Sequence, residues 1–185
     1  IHVMPSDQFR VTFMVDYDNK TLGTQFTTLD EVEKNFAKEI APARTFCFLS
    51  EIEHLKEEGL IKGGNLDGAV VIVDKEIDNA EAEKLEKLFG IKKEISLGSN
   101  GTLGGTEFRF DNEPARHKAL DLIGDLALLG MPIQGHVIAS KSGHAANVEL
   151  VKEIKRVYKD KIAKQKYPSQ LGSKTAFDIN SIIQL

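Results

Sequence analysis

Apolar and polar residues alternate from Phe9 to Tyr17, with Phe9, Val11, Phe13 and Val15 on one side. Gly23 to Thr28 can pair with this run across a polar turn at Asp18, Asn19 and Lys20. A period of two with a short polar connection predicts a β-hairpin. The period then becomes helical: Leu29, Val32, Phe36 and Ile40 recur one turn apart until Pro42, and Thr28 with Glu31 has the form of a capping box. Thr45 to Leu49 reads as a short apolar strand. Ser50 and Glu53 are spaced to cap a helix bearing Ile52 and Leu55, which Gly59 ends. Ala69 to Val73 is apolar without interruption, the pattern of a parallel strand buried on both faces, so this stretch predicts a βαβ unit.

Asn79 to Phe89, acidic at its start and carrying Leu85, Leu88 and Phe89, predicts a helix in a surface insertion. Glycines 98, 101, 104 and 105 make the next stretch too flexible for a central strand. A short strand is expected from Glu107 to Phe110, then a cap at Asp111 or Asn112. Pro114 falls in the first turn of the helix that follows, which runs to Leu129 and is closed by Gly130 and Pro132. Gln134 to Ser140 predicts a strand, and Gly143 opens a long helix through about Lys164. Tyr167 to Lys174, with Pro168, Ser169, Gly172 and Ser173, has the composition of a linker.

A chain of 185 residues, 41% hydrophobic and 28% charged, suits one α/β domain with a subdomain. The net charge of −4 provides no field to hold a polyanion, which argues against nucleic-acid binding. Cys47 is the only cysteine, so an internal disulfide and a thiolate metal cage are excluded and His, Asp and Glu remain as metal ligands. No apolar run approaches the roughly 18 residues of a membrane span and no leader opens the chain, so a cytoplasmic protein is expected. The start at Ile1 and the rising apolar pattern from Ala176 to Leu185 suggest a piece of a longer protein.

The helix from Glu113 to Leu129 is apolar nearly all round in its second half and is expected to be buried. It places His117, Asp121 and Asp125 at i, i+4 and i+8, on a single stripe. Buried carboxylates require a metal, a cation or hydrogen-bond donors. Two readings follow. The stripe is a structural His-Asp network, or it is a metal pair, because ligands four apart on one helix converge on one ion. Ser142, Gly143, His144 and Asn147 form a second polar group between a strand and a helix start. A crossover through the preceding strand would return His144 to Asp125, which would orient the imidazole. The plainer reading is an ordinary helix start.

The run from His117 to Leu126, HKALDLIGDL, followed by Gly130, Pro132, Ile133 and Gly135 and then by Ser142-Gly143-His144 with Asn147, resembles the zinc-dependent UDP-3-O-acyl-N-acetylglucosamine deacetylases of lipid A biosynthesis. The resemblance extends to Met4-Pro5-Ser6-Asp7, to Ala43 through Phe48, to Gly59 through Gly64 and to Asn65 through Ala69, so residues 1 to about 165 look like the second half of such an enzyme. It implies an α+β fold, a two-layer α/β sandwich, with a βαβ insertion at about 45–106 that forms a passage for an acyl chain. It also implies that His117 and Asp121 are zinc ligands, that His144 assists the tetrahedral intermediate and leaving group, and that Asp125 orients His144. Lys118, Thr45 and Phe46 fall where the family contacts its acylated UDP-sugar. The third zinc ligand and the general-base glutamate would come from an N-terminal deacetylase domain in cis. Glu53-His54 imitates that Glu-His pair but reads as part of a surface helix. Cys47, Asn65 and Gly68 stand where the family usually has glycine, serine and asparagine, near the passage that sets acyl length. Phe177 to Ile183 resembles the start of a 3-hydroxyacyl-carrier-protein dehydratase, so the second deacetylase domain, placed at 1–166, is expected to be followed at 167–185 by a linker and the start of a dehydratase domain in cis. The rival reading is a non-catalytic ligand-binding domain with a buried His-Asp network.

Overall fold

The computed structural model describes residues 1–59, 68–89, 98–164 and 177–178. The chain divides into two compact units, one of residues 1–16, 24–42 and 115–185, the other of residues 17–23 and 43–114.

The first unit is built on a mixed sheet. Its strands are β1 (His2–Met4), β2 (Phe9–Asp16), β3 (Thr24–Leu29) and, much later in the chain, Ile133–Ser140. The hairpin expected at the start forms as β2 and β3, antiparallel with Val11 opposite Leu29. Phe9, Val11, Phe13 and Val15 point inward and are buried, while Met14 and Phe26, directly opposite each other on the other face, are exposed. One face of the sheet is thus buried and the other open, as the alternation predicts. Helix α1 (Val32–Glu39) follows β3, but the expected capping box does not form. Thr28 remains in the strand ladder, its hydroxyl 2.9 Å from that of Thr12, and Glu31 takes the cap position with φ 48° and no side-chain cap bond. Strand pairing, which satisfies backbone and side chain together, wins over a local cap.

The second unit contains β4 (Thr45–Phe48), α2 (Ile52–Glu57), β5 (Ala69–Ile72) and α3 (Asn79–Phe89). The βαβ reading holds: β4 and β5 are parallel, with Thr45 opposite Ala69. Both faces of this pair are covered, which explains the unbroken apolar run. Cys47, Leu49, Val71 and Val73 pack with Ile52, Leu85 and Leu103, whereas Phe46, Phe48, Val70 and Ile72 pack with Tyr17, Leu22 and Phe108. Leu85 therefore ties α3 into a core, more than a surface insertion would require. Ser50 does not cap α2. It lies in a 3-10 turn, Leu49–Glu51, where its N–H and hydroxyl donate to Asp74 at 3.0 and 2.5 Å.

Two further expectations change. The glycine loop supplies strand-like pairing after all: Thr102 bridges Ile72, Leu103 N–H donates to Val71 C=O, and Thr102 and Leu103 are buried. Conversely, Glu107–Phe110 is not a strand. Its backbone is drawn to the next helix, with Arg109 N–H donating to the Glu113 carboxylate and Phe110 C=O accepting from Glu113 N–H.

Helix α4 (Glu113–Leu126) continues as a 3-10 turn, Ala127–Leu129, and ends at Gly130 with φ 73°. Ala115, Ala119, Leu122, Leu126 and Leu129 are buried. The helix is not buried all round, since Ala127 and Leu128 are exposed and Leu120 and Ile123 half-buried. Its buried positions keep helical spacing and form one stripe, which leaves the remaining apolar side chains outside. Strand β6 (Ile133–Ser140) runs between β1 and β2, antiparallel to the former and parallel to the latter, and leads to α5 (His144–Lys164). Strand β7 (Phe177–Asp178) pairs with Ile133 and Gln134 at the start of β6. Residues 60–67, including Gly63, Gly64 and Asn65, the linker 167–174 and residues 179–183 lie outside the described residues.

Candidate active site

Helical spacing alone lines up His117, Asp121 and Asp125 on α4, each side chain about one-seventh exposed. The crossover through β6 then brings the first residue of α5, His144, to this stripe. His144 Nδ1 is 2.8 Å from Asp125 Oδ2, and its Nε2 is 3.9 Å from Asp121 Oδ2. An ionised carboxylate only accepts, so the Nδ1 facing Asp125 carries the proton and Nε2 is the atom turned toward Asp121. His144 is 66% exposed, so this edge of the stripe opens to solvent.

Asn147, one turn along α5 and buried, fixes Asp125 from behind. Its Nδ2 donates to Asp125 Oδ2 at 2.9 Å, and its Oδ1 accepts from Ser142 Oγ at 2.9 Å. The group at 142–147 is thus more than a helix start, since each member holds the next and the chain ends on the histidine.

At the other end of the stripe, His117 Nε2 is 3.5 Å from Asp121 Oδ1, while Asp121 Oδ2 accepts from Lys118 Nζ at 2.9 Å. The two oxygens have separate tasks, so a cation held by His117 and Oδ1 need not displace Lys118. The donor set is one imidazole nitrogen and one carboxylate oxygen, both of kinds that suit zinc, whereas a catalytic zinc takes three protein ligands. Among the described residues no group of three His, Cys, Asp or Glu side chains is arranged to hold a metal ion.

Thr45 and Phe46 belong to the second unit, where Thr45 is exposed at the start of β4 and the Phe46 ring meets Tyr17 edge-on at 5.7 Å. His54 is exposed on α2. Cys47 is half-buried, and burial, with the nearby carboxylates of Glu51 and Asp74, pushes its thiol up to about 11, so it is no nucleophile near neutral pH. Sequence reading assigned no role to Glu113, which is buried at the first residue of α4 and bonded to Arg44. The available signal was a carboxylate one turn before His117, in a chain whose Arg44 adjoins Thr45.

The profile of the family described as UDP-3-O-acyl N-acetylglycosamine deacetylase matches residues 1–89 and 75–156. The chain is 48% identical over 184 residues to the bifunctional enzyme LpxC/FabZ of Chlorobaculum tepidum, covering 98% of this chain and 39% of that protein. It is 36% identical to the protein of the same name from Porphyromonas gingivalis over 183 residues, 99% of this chain and 39% of the relative. With the UDP-3-O-acyl-N-acetylglucosamine deacetylase of Chlamydia trachomatis it shares 43% identity over 147 residues, 79% of this chain and 43% of the relative. The chain thus spans about two fifths of the length of these curated relatives.

Proposed function

The chain belongs to the UDP-3-O-acyl N-acetylglycosamine deacetylase family, and from that premise we propose that it is the second half of a zinc-dependent amidohydrolase that deacetylates UDP-3-O-(3-hydroxyacyl)-N-acetylglucosamine in lipid A biosynthesis. The observation that carries this reading is the abutment of two pairs, His117 with Asp121 and His144 with Asp125, where a candidate metal pair and an oriented imidazole share one open edge.

In this reading His117 and Asp121 hold the zinc, and an N-terminal domain in cis supplies the third ligand and the general-base glutamate. The bound metal supplies Lewis acidity to the acetamide carbonyl and to water. Asp125, itself held by Asn147, keeps the His144 ring oriented by accepting from Nδ1. In its charged form the ring presents Nε2–H to the oxyanion that develops as water adds to the carbonyl carbon, and passes that proton to the sugar nitrogen as the C–N bond breaks. Acetate and the free amine leave. Lys118 meets the phosphates of the sugar nucleotide, Thr45 and Phe46 meet its acylated sugar, and the apolar β4–α2–β5 unit receives the acyl chain. A linker and the start of a dehydratase domain follow, in line with the bifunctional names of two relatives.

One observation favours the rival, a binding domain with a structural network: Lys118 already neutralises Asp121. The two readings part on His144→Ala in the full-length parent. The catalytic reading expects turnover to fall by roughly 10²–10³ with zinc still bound, comparable to losing one oxyanion donor. Unchanged turnover would leave only the structural network.

A further inference from the structure

Glu113 is 1% exposed at the first residue of α4, and both its oxygens are engaged twice. Oε1 accepts from Arg44 N–H at 2.8 Å and Arg44 Nε at 2.9 Å, and Oε2 accepts from Arg44 Nη2 at 3.0 Å and Arg109 N–H at 2.7 Å. Arg44 Nη2 donates further to Glu107 C=O at 2.6 Å. Burial acts to raise the Glu113 pKa, but the Arg44 guanidinium and the two amides outweigh it and hold the carboxyl below its ordinary value. Replacing a buried ion pair by apolar groups is often neutral for stability, whereas a bidentate fork constrains direction as well as distance. What this pair constrains is visible from its neighbours. The chain enters the second unit at Ala43 and leaves it at Pro114. Arg44 and Glu113 are each the second residue inside these boundaries, and their fork ties the start of this stretch to its end within the second unit. Arg44 immediately precedes Thr45 and Phe46, and Glu113 lies one turn before His117 and Lys118.

We propose that Arg44 and Glu113 are positioning residues for the deacetylation, a clasp within the second unit that fixes the start of β4, and with it Thr45 and Phe46, on the residue that opens α4. The inference rests on the function proposed above. The clasp adjoins the proposed substrate contacts Thr45 and Phe46, so its loss is felt in substrate engagement before it is felt in the chemical step.

The test uses the full-length, zinc-loaded parent enzyme. Arg44→Lys keeps the charge but loses the fork, and is expected to raise KM about tenfold with kcat within about threefold. Zinc content should stay stoichiometric. Arg44→Ala should lose about 100-fold in kcat/KM, so that lysine acts as a partial rescue. In Glu113→Gln the amides of Arg44 and Arg109 should exchange hydrogen at least about tenfold faster than in wild type, with the sheet of the first unit unaffected. A lower Tm with unchanged KM in the Arg44 variants, or unchanged exchange at those two amides, overturns the clasp while the wild type remains active. A zinc-replete wild type that does not deacetylate the acylated UDP-sugar overturns the proposed function, and this inference with it.

Discussion

Asp121 shows how one residue is divided between two neighbours, Oδ1 facing His117 and Oδ2 holding Lys118. Other residues of this chain are governed as plainly by what surrounds them. Cys47, whose thiol burial raises to about 11, should resist iodoacetamide in the native chain near about pH 8 and react fully once unfolded. Rapid native alkylation, followed by mass, would contradict its buried setting. His136 Nε2 lies 2.9 Å from Thr12 Oγ1, and burial first, then the Arg10 charge, lowers its pKa against the opposing pull of Asp30. The unfolded chain therefore takes up this proton first as pH falls through about 6.5. The stabilisation is complete above that value and lost as pH falls toward the lower folded pKa. Urea midpoints at about pH 7.5 and about pH 5.5 should differ less for His136→Gln than for wild type. An equal difference in both proteins would assign the slope to other groups.

Among the elements, the loop from Gly98 to Gly105 depends most on glycine. Gly101 has φ 77°, and a Cβ there would overlap the Thr21 side chain, whereas Gly104, with φ 64°, has open space around it. Gly101 C=O also accepts from Val73 N–H at 2.9 Å, extending the pairing beside β5. Gly104→Ala should cost about 1 kcal/mol for its left-handed backbone alone, and Gly101→Ala should cost more, up to about 3 kcal/mol. Thermal unfolding of both variants decides this, and equal losses would remove Thr21 from the account. The same loop exposes a limit of reading elements from composition. Flexible glycines suggested no strand, yet Thr102 and Leu103 pair with β5 because their N–H and C=O groups find partners there.

At the scale of the whole molecule, the first unit holds two candidate zinc ligands, and catalytic zinc takes three from protein. The 185-residue chain alone should therefore bind zinc weakly and show no deacetylation. Stoichiometric, tight binding in a calorimetric titration of this chain would overturn the division of ligands between two domains. The sequence by itself determined what is local or periodic: the inward set Phe9, Val11, Phe13 and Val15, the βαβ unit at 45–73, and the stripe His117, Asp121 and Asp125, all of which follow from side-chain periods of two and 3.6. It also carried the family resemblance through contiguous motifs. Tertiary structure decided which distant groups satisfy each backbone and each charge. Thr28 stays in a ladder rather than capping a helix, Glu107–Phe110 yields its hydrogen bonds to Glu113, and Asn147 braces Asp125 from another helix. The reason is that a backbone donor or a buried carboxylate is indifferent to sequence distance and takes the partner the fold delivers.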